Sequence, residues 1–385
     1  MKILNFIKKK NTIIWIINFV VSVVLMIVGY KITQSKYIAL SGEGSAKEAV
    51  VMEITNKEES SYDVDGVKHI NTEIYFKAKL KNGKIVEATQ SIDEYTSTYK
   101  IVEKGDKIMI YATEDNIYYF GDYIRIDKII ILLIIFCILI ILLGGIKGVN
   151  TLVSLAFTCL AIFIFFLPSI LSGYNIYLSS IATCFYIIIM TLLFINGASS
   201  KTLTTILGCI FGVITAGIIF IIMNKFLHLT GVSGEEELYL QMLDVKINLK
   251  AMIFAAIIIS SMGAVMDVSM DISSALHEIK IHKPNISFKE MLKSGLNIGS
   301  DIMGTMSNTL ILAFIGKSLA TTLLILTYSS SLGEVFNKEL VIIELLEGLI
   351  GSISILLTAP ITSIICSYVY TGKFNFFKRK EKIAN

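Results

Sequence analysis

A chain of 385 residues that is 54% apolar and only 17% charged is too greasy for a soluble domain of that size, because soluble proteins carry about 25% charged residues. The formal net charge of +3 gives no reason to expect a nucleic-acid partner, although the places where the charges fall are informative. The five cysteines, Cys137, Cys159, Cys184, Cys209 and Cys366, all lie in apolar runs and none lies between residues 36 and 128. That argues against a disulfide framework and a CxxC metal site, and leaves cysteine as a small buried hydrophobe.

A hydrocarbon core of about 30 Å needs about 20 apolar residues of helix. Runs near that length occupy 12–30, 129–146, 150–171, 176–195, 202–224, 249–267, 298–316 and 340–370. The first follows Lys8, Lys9 and Lys10. It exceeds the apolar region of a secretory signal and no small-x-small cleavage site follows, so it reads as an uncleaved anchor over 1–35.

Residues 36–128 form the one extended polar stretch. Glu48–Thr55, Thr72–Leu80, Lys84–Thr89, Lys107–Ala112 and Ile117–Ile126 read as strands from their β-branched and aromatic content. Asn82-Gly83 between two of them is a strong hairpin signal, because both residues tolerate positive φ. Five or six short strands in so short a stretch predict a small barrel of the OB or SH3-like type. Tyr118, Tyr119, Phe120 and Tyr123 read as a membrane-interface belt or barrel packing, and His69 as a solvated residue.

The block 129–372 is predicted to hold seven spans, followed by a basic tail over 373–385. Two spans carry acidic faces. Asp267, Asp271, Ser274 and Glu278 recur at steps of four and three and share one helical face, as do Asp301, Thr305, Asn308 and Thr309 on the next span. From Leu249 to Asp267 the helix rises about 27 Å, which places Asp267 near the cytoplasmic boundary, and the antiparallel connection puts Asp301 in the same leaflet. Charges inside spans are expensive and mark pathways or relays. Asp267, Asp271, Asp301, Thr305 and Asn308 are therefore candidate transport or ion-relay residues, with Asp267 and Asp301 expected within reach of a common ion. Gly263, Gly299 and Gly304 are candidate close-packing positions. Oxygen-rich groups of this kind suit a hard cation or a proton relay.

Further along, Gly316-Lys317 interrupts an apolar stretch, so 318–330 reads as a candidate separate half-helix or re-entrant piece. Lys317 can snorkel, and Glu344 with Glu347 reads as an interfacial acidic patch ahead of a span that begins near Gly348 and bends at Pro360. His277 and His282 are a weak metal signal. No GxxxxGK[ST], HExxH or GxSxG motif is present, so neither an enzyme nor a cofactor is predicted.

Lys and Arg in short loops set the orientation. With the N-terminus inside, fifteen fall in inner segments, and four, Lys225, Lys246, Lys250 and Lys338, in outer loops, the 225–250 loop also carrying Glu235, Glu236, Glu237 and Asp244. Both termini are expected in the cytoplasm, with 36–128 outside a bacterial plasma membrane.

The residues GAVMDVSMDISSALHEI at 263–279 and KPNISFKEMLKSGLNIGSDIMGTMSNTLILAFIG at 283–316 resemble the YibE/F family of bacterial membrane proteins. The layout of one anchor, an outer domain and a multi-span block is similar too, over roughly 129–370. The resemblance implies a multi-pass membrane protein with a suspected transport role and supplies no catalytic residues. A looser similarity, to resistance-nodulation-division exporters, rests on Gly263 lying four residues before Asp267.

The fold expected is thus an all-α polytopic membrane bundle of about eight transmembrane helices, with an extracytoplasmic β-barrel-like domain inserted after the first. The function expected is a permease or exporter of a small solute or ion, ion- or proton-coupled through the acidic faces. The alternative is a scaffold or sensor that binds a partner through the outer domain. The lipid bilayer, a small solute or cation, and a second copy or another membrane protein are the expected partners.

Overall fold

The computed structural model describes residues 2–37, 46–64, 67–93, 100–113, 117–232, 234–242 and 246–372. The basic tail and Asp244 of the acidic outer loop lie outside the described residues. The chain divides into two compact units, one made of Met1–Tyr37 with the residues from Gly144 onward, the other of Ile38–Leu143.

In the second unit five strands form a closed barrel. They are β1 (Lys47–Val64), β2 (Val67–Leu80), β3 (Ile85–Asp93), β4 (Lys107–Ala112) and β5 (Tyr118–Tyr123), in the order β1-β2-β3-β5-β4. Every neighbouring pair is antiparallel except β3 and β5, which pair in parallel through Ala88–Tyr118 and Thr89–Tyr119. This Greek-key order selects the OB type over the SH3-like one. Alternate residues point inward, and Val51, Ile74, Phe76, Ala78, Ile108 and Ile110 fill the interior. The Asn82-Gly83 turn closes as its residues predict: Gly83 has φ +85°, its N–H donates to the Leu80 carbonyl at 2.9 Å, and the Asn82 side chain accepts from Lys84 N–H at 3.1 Å.

Two features of the barrel escape the pattern of residues. β1 runs to Val64, paired with β2 in a ribbon longer than the apolar stretch Glu48–Thr55. Its outer half, rich in Lys, Glu and Ser, is solvated on both faces, so no alternation betrays it as a strand. Gln90, only 1% exposed, is the barrel's buried polar residue: its amide nitrogen donates to the Lys100 carbonyl at 3.1 Å and its oxygen accepts from Val102 N–H at 3.0 Å. The aromatic run divides, with Tyr118 in the core, Phe120 and Tyr123 packed against it, and Tyr119 exposed. Barrel packing, one of the two readings given to that run, accounts for three of its four rings.

Seven helices among the described residues are long and apolar enough to cross a membrane. One of them, Ile126–Leu171, is 46 residues long and contains both runs 129–146 and 150–171. Its first part is α2 (Ile126–Leu160), and Gly145 inside it has the non-helical angles φ 54°, ψ −132°, which break it into two pieces. The piece before the break is exposed on all sides, and the division between units falls at this break rather than at residue 128.

The helical unit is made of α1 (Lys2–Tyr37), the part of α2 after Gly145, a π-helical stretch Ala161–Phe166 continuing into α3 (Leu167–Leu171), α4 (Ile176–Asn196), α5 (Ser200–Leu227), α6 (Glu235–Gln241), α7 (Leu249–His282), α8 (Phe288–Tyr328), α9 (Leu332–Asn337) and α10 (Glu339–Tyr370). Their starts follow ordinary capping chemistry. Asn175, Ser199, Asn248 and Ser287 each accept a backbone N–H from the first turn, and Glu290 completes a capping box with Ser287. α1 packs into this unit: the buried Asn18 donates to the Met190 carbonyl at 3.3 Å, and Trp15 meets Phe194 edge-on with centroids 5.7 Å apart.

α7 sits at the centre, packed against α4, α5, α8 and α10. α8 is one unbroken helix of 41 residues, so 318–328 continues it and is not a separate half-helix or re-entrant piece. α10 begins at Glu339 instead of near Gly348, which carries Glu344 and Glu347 into the packed part of the bundle. Pro360 lies inside it.

Candidate functional site

Small residues determine how the central helices meet. Along α10, Thr358, Thr362, Cys366 and Tyr370 recur every four residues; Val265, Ser269, Ser273 and His277 do the same along α7, and Gly212, Gly208 and Thr204 run back along α5. A four-residue step returns to almost the same helix face, so each series forms a ridge. A Cβ on Gly212 would lie 2.3 Å from Thr358 Oγ1 and 2.5 Å from Val265 Cγ1, and one on Gly208 would lie 2.3 Å from Thr362 Oγ1 and 2.8 Å from Ser269 Oγ. α7 and α10 therefore run parallel, with α5 antiparallel against both.

The hydroxyls of this seam are satisfied. Ser269 and Thr362 share a hydrogen bond of 3.2 Å, Ser273 Oγ lies 3.3 Å from Cys366 Sγ, and Thr204 meets the Tyr370 hydroxyl at 2.9 Å. Tyr370 also donates to the Ser273 carbonyl at 3.2 Å, and Ser354, Thr358, Ser363 and Ser367 each bond the carbonyl four residues back. The seam is a packing device of the small-xxx-small kind. The signal was present in the sequence, as hydroxyl and glycine residues at steps of four inside apolar runs.

The acidic faces lie elsewhere. On α8, Gly295 and Gly299 contact Leu276 and Ile272 of α7 on one side and Ser363 and Ala359 of α10 on the other. Counting along the two antiparallel helices from these contacts brings Asp301 within a turn of Asp271 in depth, Thr305 within a turn of Asp267, and Asn308 within a turn of Gly263. A similar depth along the bundle follows from this register. Side-by-side placement does not: Asp301 stands about 200° around α8 from Gly299, pointing away from α7. Asp267, Asp271, Asp301, Thr305, Asn308 and Thr309 are all exposed on the surface of this unit. None of the three aspartates makes a hydrogen bond or ion pair among the described residues. The expected facing pair of Asp267 and Asp301 is thus corrected to two separate outward faces.

The glycines divide as well. A Cβ on Gly299 would lie 3.1 Å from Ala359 Cβ, whereas at Gly263 and Gly304 it would meet nothing within 4 Å. Of these three, only Gly299 allows a close approach within one chain; tighter positions in the central helices include Gly208, Gly212, Gly295 and Gly351. No group of three or more His, Cys, Asp or Glu residues able to hold a metal occurs among the described residues. His277 instead sets its ring 5.5 Å from that of Tyr370.

One ionic cluster is assembled that sequence reading treated as separate parts. Lys317 of α8 lies 3.4 Å from Glu344 Oε1 and 3.5 Å from Glu347 Oε2, both of α10. Glu347 is 6% exposed, so it is a buried partner between the two helices. Antiparallel packing of α8 on α10, with Phe314 over Gly348 and Leu310 over Gly351, brings the three together.

No curated protein and no solved structure matches the chain. A family model described as YibE/F-like protein matches residues 132–372, the stretch that carries the seam, both acidic faces and the ionic cluster. More than half of the chain falls within that match, and it ends two residues beyond Tyr370, the last rung of the seam; the chain belongs to the YibE/F-like family.

Proposed function

We propose that the protein is a bacterial plasma-membrane permease or exporter of a small solute or ion, with the polar face of α8 lining its path. The observation that carries this reading is the row Asp301, Thr305, Asn308 and Thr309, exposed along a helix of membrane-spanning length and composition. Turning a carboxylate and an amide toward acyl chains is costly, and such residues ordinarily face a bundle interior or water. The row faces neither within one chain, so a second copy closes the path, with its own α8 opposite. Asp267 and Asp271, at similar depth on α7, lie on a separate outward face and are not part of this path. Both termini lie inside and the barrel outside, in keeping with the bias of Lys and Arg toward the inner segments.

The test is cellular ion and metabolite profiling in cells with the protein, without it, and with Asp301→Asn. Restoration of the parent profile by Asp301→Asn to the same degree as the unaltered chain would remove the support for this reading. Cysteines placed at Asn82 and Gly234 are expected to react with an impermeant thiol reagent in intact cells, and one at Ser287 is not; labelling at 287 overturns the orientation.

A second reading, a scaffold or sensor that engages a partner through the outer domain, draws on the β1–β2 ribbon. Its pairing runs out to Val64–Val67, beyond the Asn71–Asp93 end of the β2–β3 ladder, and it exposes Tyr62 and Ile70. Loss of function on shortening this ribbon, with Asp301→Asn silent, would favour it.

A further inference from the structure

Between α8 and α10 lies a cavity of about 220 Å³, walled by Ile311, Phe314, Ile315, Leu345 and Leu349, with Glu344 contributing a carboxylate. Lys317 is the ammonium bound to Glu344 and Glu347, and at 3.4 and 3.5 Å it spans both without a close bond to either, since charge-assisted N–H···O bonds run about 2.7–2.9 Å. Two carboxylates against one ammonium leave one negative charge uncompensated. Glu344 Oε2 is buried and has no hydrogen-bond partner. An unpaired charge in apolar surroundings is strongly disfavoured. Ile315, Leu345 and Leu349 are half-exposed, so the cavity opens on the outer surface of the bundle, where acyl chains run.

We infer that this cavity binds an amphipathic monovalent cation, a primary ammonium head on an apolar tail, with the head on the Glu344 carboxylate that lines it. The ammonium supplies the missing counter-charge, and the carboxylate accepts its hydrogen bonds. The aliphatic and Phe314 walls take the tail, and the Lys317 ammonium disfavours a more highly charged divalent ion. The site is independent of Asp301 and of the path proposed above. The same chemistry could come from a free alkylamine or from the headgroup of an amine phospholipid.

The test uses the full chain purified in an uncharged maltoside detergent, with octylammonium as probe and octanol and ammonium chloride as tail-only and head-only controls. Octylammonium is expected to bind saturably and to raise the thermal midpoint, while neither control does. Glu344→Gln is expected to weaken binding at least tenfold. Leu349→Trp, which fills the cavity and leaves the carboxylates in place, is expected to do the same, so the result does not rest on one variant. Gly263→Ala, at an open position, is expected to bind as the parent does. Competition by phosphatidylethanolamine but not phosphatidylcholine supports the site and makes the occupant a lipid amine; failure of both to compete supports it and makes the occupant a free amine. Equal binding of octanol and octylammonium, or undiminished octylammonium binding in both Glu344→Gln and Leu349→Trp, overturns the proposal.

Discussion

Thr362 of α10 bonds Ser269 of α7 at 3.2 Å directly over Gly208 of α5, so three helices meet at a point where no side chain larger than hydrogen fits on the third. In a bilayer this kind of contact matters more than apolar area, because lipid tails are as apolar as a neighbouring helix.

Gly208→Ala is therefore expected to destabilise the protein by about 1–3 kcal/mol, the usual range for overpacking. Thr362→Ala, which removes the Oγ1 that the new methyl would strike, is expected to return part of that loss. Gly263→Ala meets nothing and is expected to be neutral or to gain about 0.5–1 kcal/mol from helix propensity. Thermal unfolding of the three variants and the double mutant in detergent checks this. Equal losses at Gly208 and Gly263 would contradict the packing.

The acidic faces give a coupling test. Asp301 points away from α7, so Asp267→Asn and Asp301→Asn are expected to act additively, since sites without shared partners add within about 0.3–0.5 kcal/mol. Activity measured from the cellular profile of the two single variants and the double variant decides the matter. A double variant no worse than either single one would instead place both carboxylates in one site, as the sequence alone suggested.

In the barrel, Gln90→Leu would leave Val102 N–H buried without an acceptor, and unpaired buried groups cost about 1–3 kcal/mol. A fragment covering the second unit is expected to be β-rich by circular dichroism, with the Gln90→Leu variant melting lower. An unchanged midpoint would mean that water reaches Val102.

The Glu53–Lys77 pair across β1 and β2, at 2.8 Å, sets a pH dependence for the same fragment. The hydrogen bond and charge of Lys77 hold the Glu53 carboxyl below its usual range, and those of Glu53 raise Lys77. The stabilisation from Glu53 is present above the ordinary carboxylate pKa and is lost as pH falls through the lowered folded value. That from Lys77 is present below the ordinary amine pKa and is lost as pH rises through the raised one. Lys77→Met is thus expected to lower the midpoint slightly at neutral pH and not at all in strong acid. The effect stays small because both groups are exposed and screened. A difference that grows toward acid would reverse the assignment.

The long apolar helices, the Asn82-Gly83 turn and the polar stretch that forms the barrel were legible in the sequence because each rests on a local property: a length of apolar helix, a tolerance of positive φ, an alternation along a strand. The family was legible too, in the run around Asp301. What the sequence could not determine is which face of each apolar helix is buried. Gly263, Gly299 and Gly304 look alike in the chain, yet only Gly299 meets a neighbour. Hydropathy gives lipid and helix partners the same value, so periodicity carries no sign of the difference, and α8 presents Asp301 outward although the pattern suggested a facing pair. The tertiary structure also decided the fate of the charges. Lys317 and Glu347 lie on different helices and read separately as a snorkelling residue and an interfacial one. Antiparallel packing of α8 on α10 makes them an ion pair, because a buried charge is tolerated only against an opposite one, and only the fold brings the two within 3.5 Å.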